Sequence, residues 1–366
     1  MNARWILLCL ILLTIGSADA EPLAKKAGRG ALVFTEQILP TDDSGAIVSP
    51  GSATGQMAHL VSKVSLLLEE NGSGWEESVR LHFYVASPEV ETEVRRLTGT
   101  MFPNVPATWV ITPLSHAAAL VALDVVATTT SQSAGRAGAS ILPPGVRYFV
   151  SGQAARDKDL AVATRGTMEQ LQATLQQYGR TLADSVQIKS FVQPMSDVAT
   201  ARREIESFFE EGETPPLVFV EWESTLPIEI ELVAFGGSAK ENAEPIEFLT
   251  PEGMKASPVF CRVVRTNDAP LVFVSGINGD PAKAPADQVK SIFAEMKTGL
   301  EEKGSDLRHL AKATYYVANP EVSRALNELR PDYYDPERPP AASKAMVAGG
   351  GQGSAITIDM IAVGGR

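Results

Sequence analysis

The chain has 366 residues, 44% of them hydrophobic and 21% charged, which is typical of a folded globular protein of two or three domains. Its 32 Lys and Arg residues against 44 Asp and Glu residues give a net charge of −12. This charge repels polyphosphate and argues against nucleic-acid binding. The four histidines and two cysteines show no metal-binding spacing, so no metal ion is expected.

The first twenty residues have the pattern of a secretion signal. Arg4 precedes an apolar run at residues 5–15, and residues 17–20 end in a small-x-small cleavage pattern. We therefore expect residues 1–20 to be a signal peptide and the protein to be exported, to the periplasm or the extracellular space. The run is shorter than the roughly 20 residues of a membrane span, which predicts no stable membrane anchor. An uncleaved anchor is the alternative.

Cleavage would remove Cys9 and leave Cys261 as the one cysteine of the mature chain. Residues 259–264 have the composition of a strand, in which a cysteine acts as a small buried hydrophobe. Pairing of this thiol between two chains is the alternative.

The mature chain repeats one pattern of elements three times. Each unit first shows an apolar stripe at helical spacing, at residues 57–68, 168–178 and 289–300. A glycine-bearing turn and a strand follow in each unit, the strands covering residues 79–85, 186–192 and 310–317.

A second helix and two closing strands complete each unit. The second helices are predicted to start at Pro88, Ser196 and Pro320, and the last strands cover residues 121–127, 228–234 and 356–362. This recurrence predicts three tandem domains at residues 28–127, 141–236 and 257–366, of which the first is the most divergent.

The order of elements predicts an α+β fold in which two helices cover one face of each mixed sheet. Strand 79–85 carries apolar or aromatic residues on both faces, so the face without helices also needs a cover. We expect the three sheets to cover one another, which would make a monomeric chain an intramolecular pseudo-trimer.

Three segments resemble the RidA or YjgF-like family of reactive intermediate deaminases, also labelled endoribonuclease L-PSP. They are Phe149-Val150-Ser151-Gly152-Gln153, Phe273-Val274-Ser275-Gly276-Ile277 and Ile228-Glu229-Ile230-Glu231-Leu232-Val233-Ala234. The resemblance implies tandem chorismate-mutase-like domains with ligand pockets at their interfaces. It also implies hydrolysis of enamines or imines of small 2-oxo acids, without cofactor or metal.

The resemblance assigns site residues. Ser151 and Gly152 in the second repeat, and Ser275 and Gly276 in the third, are implied to bind a small-molecule ligand such as a 2-oxo or imino acid. Glu229 is implied to be catalytic, positioning a water; an ordinary surface or interface carboxylate is the alternative. Ala122 and Thr357 stand at its place in the other repeats.

The family's substrate-binding arginine is missing from all three repeats. The corresponding positions are expected at Thr108, Leu217 and Ala342. Lys344 lies two residues beyond Ala342 on the same face of a strand, which makes it a candidate substitute cation; a solvent-facing lysine is the alternative.

Two classes of function therefore remain. The chain is either a divergent deaminase or metabolite binder, or a non-catalytic structural or interaction protein that kept the fold and lost the arginine. Two further local patterns stand out. Residues 349–353 are expected to form a flexible hairpin connection, and Asn71-Gly72-Ser73 matches a glycosylation acceptor.

Overall fold

The structure is a computed structural model that describes residues 22–132 and 137–365. The predicted signal peptide, residues 1–20, lies outside the described residues. Within the described ranges, no helix is long and apolar enough to cross a membrane.

The first repeat begins its helices with side-chain caps. Ser52 accepts a hydrogen bond from the Gly55 amide, and Ser87 accepts one from the Val90 amide, with Pro88 in the first turn of the second helix. The elements of this repeat are β1 (Ala24–Lys26), β2 (Ala31–Thr35), α1 (Ala53–Glu70), β3 (Ser78–Val85), α2 (Pro88–Met101), β4 (Ala107–Ile111) and β5 (Val121–Thr129).

The second and third repeats follow the same order. The second contains β6 (Ala139–Leu142), β7 (Val146–Gln153), α3 (Leu160–Gln176), β8 (Ser185–Val192), α4 (Val198–Glu206), β9 (Leu217–Glu221) and β10 (Ile228–Gly237). The third contains β11 (Ile246–Leu249), β12 (Val263–Asn267), β13 (Leu271–Asn278), α5 (Pro285–Glu302), β14 (Leu310–Val317), α6 (Pro320–Leu329), β15 (Ala341–Met346), β16 (Gly349–Gly350) and β17 (Ile356–Val363). The predicted α+β class with three tandem units is confirmed.

The three mixed sheets exchange strands in a cycle. Their strand orders are β16-β4-β3-β5-β2-β6, β11-β12-β7-β10-β8-β9 and β1-β13-β17-β14-β15. In each repeat, one strand near the start pairs with a strand of a different repeat. Strand β6 pairs with β2 of the first repeat, β12 with β7 of the second, and β1 with β13 of the third. The sheets therefore do not follow the predicted domain boundaries. Residues 141 and 142, predicted to start the second domain, belong to a strand in the sheet of the first.

Two short segments differ from the sequence-based expectation. The strand expected at residues 259–264 begins only at Val263, and Cys261 instead makes an isolated bridge to Ala341 and is buried. The expected flexible hairpin at residues 349–353 begins with three buried glycines, 349–351, and its strand β16 pairs with β4 of the first repeat, while Gln352 and Gly353 are exposed. Both segments are ordered by contacts with residues distant in the sequence, which local sequence does not show.

Each sheet has two different faces. One face packs under its own two helices, as in the first repeat, where Met57, Leu60 and Val64 of α1 are buried against β3 and β5. The opposite faces meet one another. Phe34, Phe149 and Phe273, one from each repeat, are fully buried in a single cluster. This buried cluster holds residues from all three sheets, so their helix-free faces pack against one another around a shared centre.

Charged side chains lie inside this shared centre. Asp124, Glu231 and Asp359 occupy equivalent positions on the three last strands, and Arg80, Lys189 and Lys312 supply one buried cation from each repeat. Arg80 lies 2.5 Å from Asp124 and 3.3 Å from Asp359, while Lys312 lies 2.6 Å from Glu231. Three positive charges balance three negative charges, which limits the desolvation cost of burying them.

The centre also changes the protonation of its members. Burial and the charges of Lys189 and Arg80 hold the pKa of His82 well below its ordinary value, so this imidazole is neutral. Burial lowers the pKa of Lys189 to about 8, partly offset by the attraction of Asp124.

Asn71, the asparagine of the glycosylation pattern, is buried. Asn71 follows the last residue of α1, is 2% exposed, and donates from Nδ2 to the Leu67 carbonyl oxygen at 2.7 Å. Its amide is therefore occupied as a helix cap rather than presented on the surface.

Candidate functional site

The structure brings Ser151, Gly152 and Glu229 together. Ser151 and Gly152 lie near the end of β7, and Glu229 lies near the start of β10, the strand paired with β7. A Cβ atom placed on Gly152 would lie only 2.0 Å from Oε1 of Glu229. The absence of a side chain at residue 152 is thus what leaves room for the Glu229 carboxylate.

Ser343 joins this pair from the third repeat. It lies on β15, is buried, and its Oγ accepts a hydrogen bond from the Gly152 amide at 3.1 Å. The Ser343 hydroxyl also hydrogen-bonds to the Glu229 side chain. The site is therefore built at the interface of the second and third repeats, and sequence reasoning missed Ser343 because it is distant in the chain.

Arg262 supplies the cation of the site. The Ser151 amide donates to the Arg262 carbonyl oxygen at 3.0 Å, and the neighbouring Cys261 amide donates to the Pro340 carbonyl oxygen at 2.8 Å. These bonds fix the backbone, and the partly exposed guanidinium lies 4.8 Å from the Phe260 ring centroid. Its Nε has no hydrogen-bond partner within the described part of the chain, and its charge attracts the Glu229 carboxylate.

Glu229 is held near the middle of the physiological pH range. Burial raises the pKa of its carboxyl to about 7, and repulsion from Glu231 acts in the same direction. The Ser343 hydrogen bond and the Arg262 charge oppose this rise. A carboxyl with this pKa can both accept and donate a proton near neutrality, as a general acid or base must. Glu229 is partly exposed as a residue, while its carboxyl group is buried.

The equivalent positions of the third repeat form no such site. Ser275 donates from its buried Oγ to Asp359 in the charged centre at 3.3 Å, and a Cβ atom on Gly276 would lie 2.8 Å from the carbonyl oxygen of Ala107. Thr357 donates to the Ile277 carbonyl oxygen at 3.2 Å and provides no carboxylate. Ser275 and Gly276 are therefore not brought to Glu229, and strand β4 packs over their interface.

The remaining interface, between the first and second repeats, is closed by a side chain. Gln37 Nε2 donates to the carbonyl oxygen of Phe219 at 2.9 Å, and the Gln37 amide donates to that of Leu217 at 3.0 Å. Ala122 at the carboxylate position is fully buried. Of the three equivalent interfaces, only that between repeats two and three combines a carboxylate with the Ser-Gly turn.

Lys344 lies on the other face of its strand. Its Nζ donates to Ser323 Oγ at 2.9 Å and to Asn327 Oδ1 at 3.1 Å, both on α6. Ala342 shares that face and packs in the helix-side core. The structure therefore does not bring Lys344 to Glu229, and Arg262 is the nearby cation instead. Among residues 22–132 and 137–365, no His, Cys, Asp and Glu side chains are grouped so that they could hold a metal ion.

The chain matches a known protein family. The family described as endoribonuclease L-PSP matches residues 140–235 and 252–364, more than half of the sequence. The chain belongs to the endoribonuclease L-PSP family. The first repeat lies outside the matched segments.

Three solved structures each match between 24% and 34% of this chain, two of them of members of the YjgF family. A member from Mycobacterium tuberculosis is 27% identical, covers 24% of this chain and 78% of its own, with a TM-score of 0.23. A member from Neisseria meningitidis is 20% identical over 33% of this chain and 96% of its own, with a TM-score of 0.25. Yeast Mmf1 is 18% identical over 34% of this chain and 96% of its own, with a TM-score of 0.25. A search of curated proteins found no match.

The strand register corrects two of the three positions expected for the L-PSP family arginine. Thr108 pairs with His82, which lies opposite Asp124. The residues with the equivalent pairing are Val218 and Ser343, opposite Lys189 and Thr314 respectively. Leu217 and Ala342, each one residue earlier, face the helices instead. No arginine stands at the corrected positions, and Ser343 fills the one beside Glu229.

Proposed function

We propose that the interface of repeats two and three hydrolyses imines or enamines of small 2-oxo acids, with Glu229 as the acid–base residue and Arg262 as the carboxylate anchor. The observation that carries the proposal is the Glu229 carboxyl, whose pKa is raised to about 7 beside the Gly152 amide and a partly exposed guanidinium. The family description as an endoribonuclease is not carried over, because a net charge of −12 opposes RNA binding.

The chemistry requires only these groups and water. Ionised Glu229 takes a proton from a water molecule as the water oxygen bonds to the imine carbon, and passes that proton to the imine nitrogen, which gives a neutral carbinolamine. Glu229 then takes the proton of the carbinolamine hydroxyl and delivers it to the nitrogen as the carbon–nitrogen bond breaks, so ammonia leaves, the carbonyl of the 2-oxo acid forms and Glu229 is ionised again. An enamine first gains a proton on carbon, which converts it to the imine.

Arg262 would position the substrate. A guanidinium binds a carboxylate through two parallel N–H bonds, which fixes the neighbouring imine carbon in one orientation. Such a charge-assisted contact contributes about 1.5–3 kcal/mol, or roughly 10- to 150-fold in affinity. In this proposal the cation comes from the segment before β12, rather than from the strand position where the family arginine stands.

The test is hydrolysis of an imine generated by an amino-acid oxidase, measured with the chain lacking residues 1–20. We expect Glu229→Gln to lower kcat about 100-fold or more. Arg262→Met should raise KM about 10-fold or more, and Lys344→Met, a lysine on the opposite strand face, is the matched control and should change neither. The kcat/KM of the wild type should rise as the pH increases through about 7, since the attacking step needs ionised Glu229.

Two outcomes would reject this assignment. If the wild type gives no acceleration over buffer, hydrolysis is absent and the non-catalytic interaction protein becomes the better description. If the wild type is active but Glu229→Gln retains full activity, the catalytic site lies elsewhere.

We further propose that the protein is exported and processed after Ala20, on the evidence of the apolar segment and cleavage pattern at residues 1–20. Expression of the full chain in a Gram-negative bacterium should yield, in the periplasmic fraction, a protein whose N-terminal sequence starts at Glu21. Recovery of an uncleaved chain with the membranes would contradict processing.

A further inference from the structure

Phe260 and Arg262 project from the same side of the segment that leads into β12. Cys261 between them is buried and extended: it forms an isolated parallel bridge with Ala341, and its Sγ donates to the Leu249 carbonyl oxygen at 3.1 Å. In an extended chain, neighbouring side chains point to opposite sides, and side chains two residues apart share a side. The burial of Cys261 therefore directs Phe260 and Arg262 outward together, and both are partly exposed.

The Phe260 ring holds the Arg262 guanidinium. Its centroid lies 4.8 Å from Arg262 Cζ, within the range of about 6 Å over which the face of a ring attracts a cation. The buried Nε of Arg262 has no hydrogen-bond partner among residues 22–132 and 137–365, so no bond at that atom fixes the group. The contact with the ring therefore restricts a side chain that otherwise has many rotamers.

An aromatic ring holds a guanidinium differently from a carboxylate. An ion pair occupies N–H groups of the arginine, as at Arg95, which lies over a tryptophan ring but whose Nη2 is also 2.8 Å from Glu91 Oε1. A ring attracts the charge through its face and leaves the terminal N–H groups free for a carboxylate. The Phe260 contact thus fixes the cation and keeps its donors available.

The position of this cation matters to Glu229. The Arg262 charge acts on the Glu229 carboxyl, which hydrogen-bonds to the Ser343 hydroxyl. A freely rotating guanidinium would turn to the ionised carboxylate and pair with it, which would occupy both the base and the anchor of the site. A guanidinium held by the ring remains available to a substrate carboxylate, and a fixed anchor orients the neighbouring imine carbon.

We propose that Phe260 is a positioning residue for the carboxylate anchor of this site. It holds the Arg262 guanidinium with its terminal N–H groups free, so that they bind the carboxylate of a 2-oxo acid or of its imine in one orientation. Phe260 acts through Arg262 and needs no contact with the reacting atoms. The inference rests on the proposed function, and it adds a residue on which substrate binding depends and the chemical step does not.

The test follows two quantities in the chain lacking residues 1–20. The first is the KM and kcat for the imine that an amino-acid oxidase generates from leucine. The second is the Kd of the product, 4-methyl-2-oxopentanoate, from isothermal titration. Phe260→Leu keeps an apolar side chain and removes the ring. We expect it to raise KM and Kd about 2- to 5-fold, as for loss of an exposed ring–cation contact, with kcat unchanged.

Three comparisons separate positioning from a general effect on the fold. Phe260→Tyr keeps a ring and should leave KM and Kd unchanged. In the Arg262→Met background, Phe260→Leu should have no further effect, because the cation that the ring holds is gone. Phe248→Leu is the matched control: its ring lies 5.0 Å from Cζ of Arg338, an arginine outside the site, and its loss should change neither quantity.

The inference is overturned if Phe260→Leu, folded by circular dichroism, leaves KM and Kd at the wild-type values while Arg262→Met raises them. It is also overturned if Phe260→Leu weakens binding equally in the Arg262→Met background, since the ring would then act without the cation. If Phe260→Leu does not fold, Phe260→Met, which is also apolar and without a ring, decides by the same criteria.

Failure of the proposed function gives a different result. If the wild type binds 4-methyl-2-oxopentanoate but does not accelerate hydrolysis, the hydrolytic role is rejected and the Kd series alone decides the role of Phe260. If Arg262→Met changes neither KM nor Kd, Arg262 is not the anchor and the positioning role is rejected with it. A wild type that neither binds the oxo acid nor hydrolyses the imine rejects both proposals.

Discussion

Replacement of Glu229 by Gln should stabilise the protein at neutral and alkaline pH. In the folded chain, burial raises the pKa of this carboxyl from 4.5 to about 7. Between these two values the folded state binds the proton that the unfolded state releases, so stability falls as the pH rises through this window. Each unit of pKa difference corresponds to about 1.4 kcal/mol, and the ionised carboxylate therefore costs the folded protein about 3 kcal/mol above pH 7.

Glutamine removes this cost because it keeps the volume of the side chain and carries no charge. We expect Glu229→Gln to gain about 3 kcal/mol relative to the wild type between pH 4.5 and 8. The bond to Ser343 favours the ionised carboxylate and is already included in the pKa of about 7, so it does not change the direction of the expected gain. The prediction is tested by the difference in free energy of unfolding between the two proteins, followed as a function of pH. The contributions of all other titrating groups cancel in this difference.

The assay is urea unfolding of both proteins at pH 5, 6, 7 and 8 at constant ionic strength. Glu328→Gln, at an exposed helix position, is the control, and its difference from the wild type should stay within about 0.5 kcal/mol across the series. A difference for Glu229→Gln that stays flat within 1 kcal/mol would refute the reasoning. A gain that shrinks with rising pH would mean that pairing with Arg262 outweighs burial.

Four other variants or measurements probe the centre, the site and the assembly. Arg80→Met leaves the buried Asp124 without its 2.5 Å partner and should destabilise the fold by about 3–5 kcal/mol in urea unfolding, an effect that a loss below 1 kcal/mol would contradict. The His82 imidazole, whose pKa is held well below its ordinary value, should stay neutral in NMR spectra from pH 8 to 5.5. Gly152→Ala should displace Glu229 and lower imine hydrolysis as far as Glu229→Gln does, with an unchanged circular dichroism spectrum. Light scattering of the chain without residues 1–20 should give one chain per particle, because the sheets already cover one another; a particle of three chains would contradict this.

The elements of the fold could be predicted because their signals are local. The stripe at residues 57–68 has the period of a helix, and α1 buries Met57, Leu60 and Val64. Strand β14 spans residues 310–317 as predicted. The cover of the helix-free faces was predicted from strand 79–85, because its second face carries the aromatic residues His82 and Tyr84.

The candidate site was predictable only in part. Gly152 and Glu229 lie on paired strands of one repeat, so a family pattern within that repeat located both. Ser343 and Arg262 enter from the third repeat, and no local pattern encodes that approach. Lys344 was expected at the site, but a one-residue difference in strand register determines which face a side chain takes.

The buried charges were not predicted for a related reason. Arg80 and His82 alternate with apolar residues, a pattern also typical of a strand with one face in water. The face that carries Arg80 is buried only because the two other sheets pack on it and place Asp359 and Lys189 beside it.

The cyclic exchange of strands means that this molecule has no structurally required first residue. Strand β1 and strand β17 both flank β13, and Gly364, just after β17, lies beside Lys26 at the end of β1, where a Cβ atom on Gly364 would lie 3.4 Å from Cε of Lys26. A circular permutant that links Gly365 to Leu23 through a flexible segment long enough to run back along β1, and that opens in the loop at residues 238–245, would keep every strand pairing of all three sheets. The strand pairings of the three sheets therefore do not depend on which repeat comes first in the sequence.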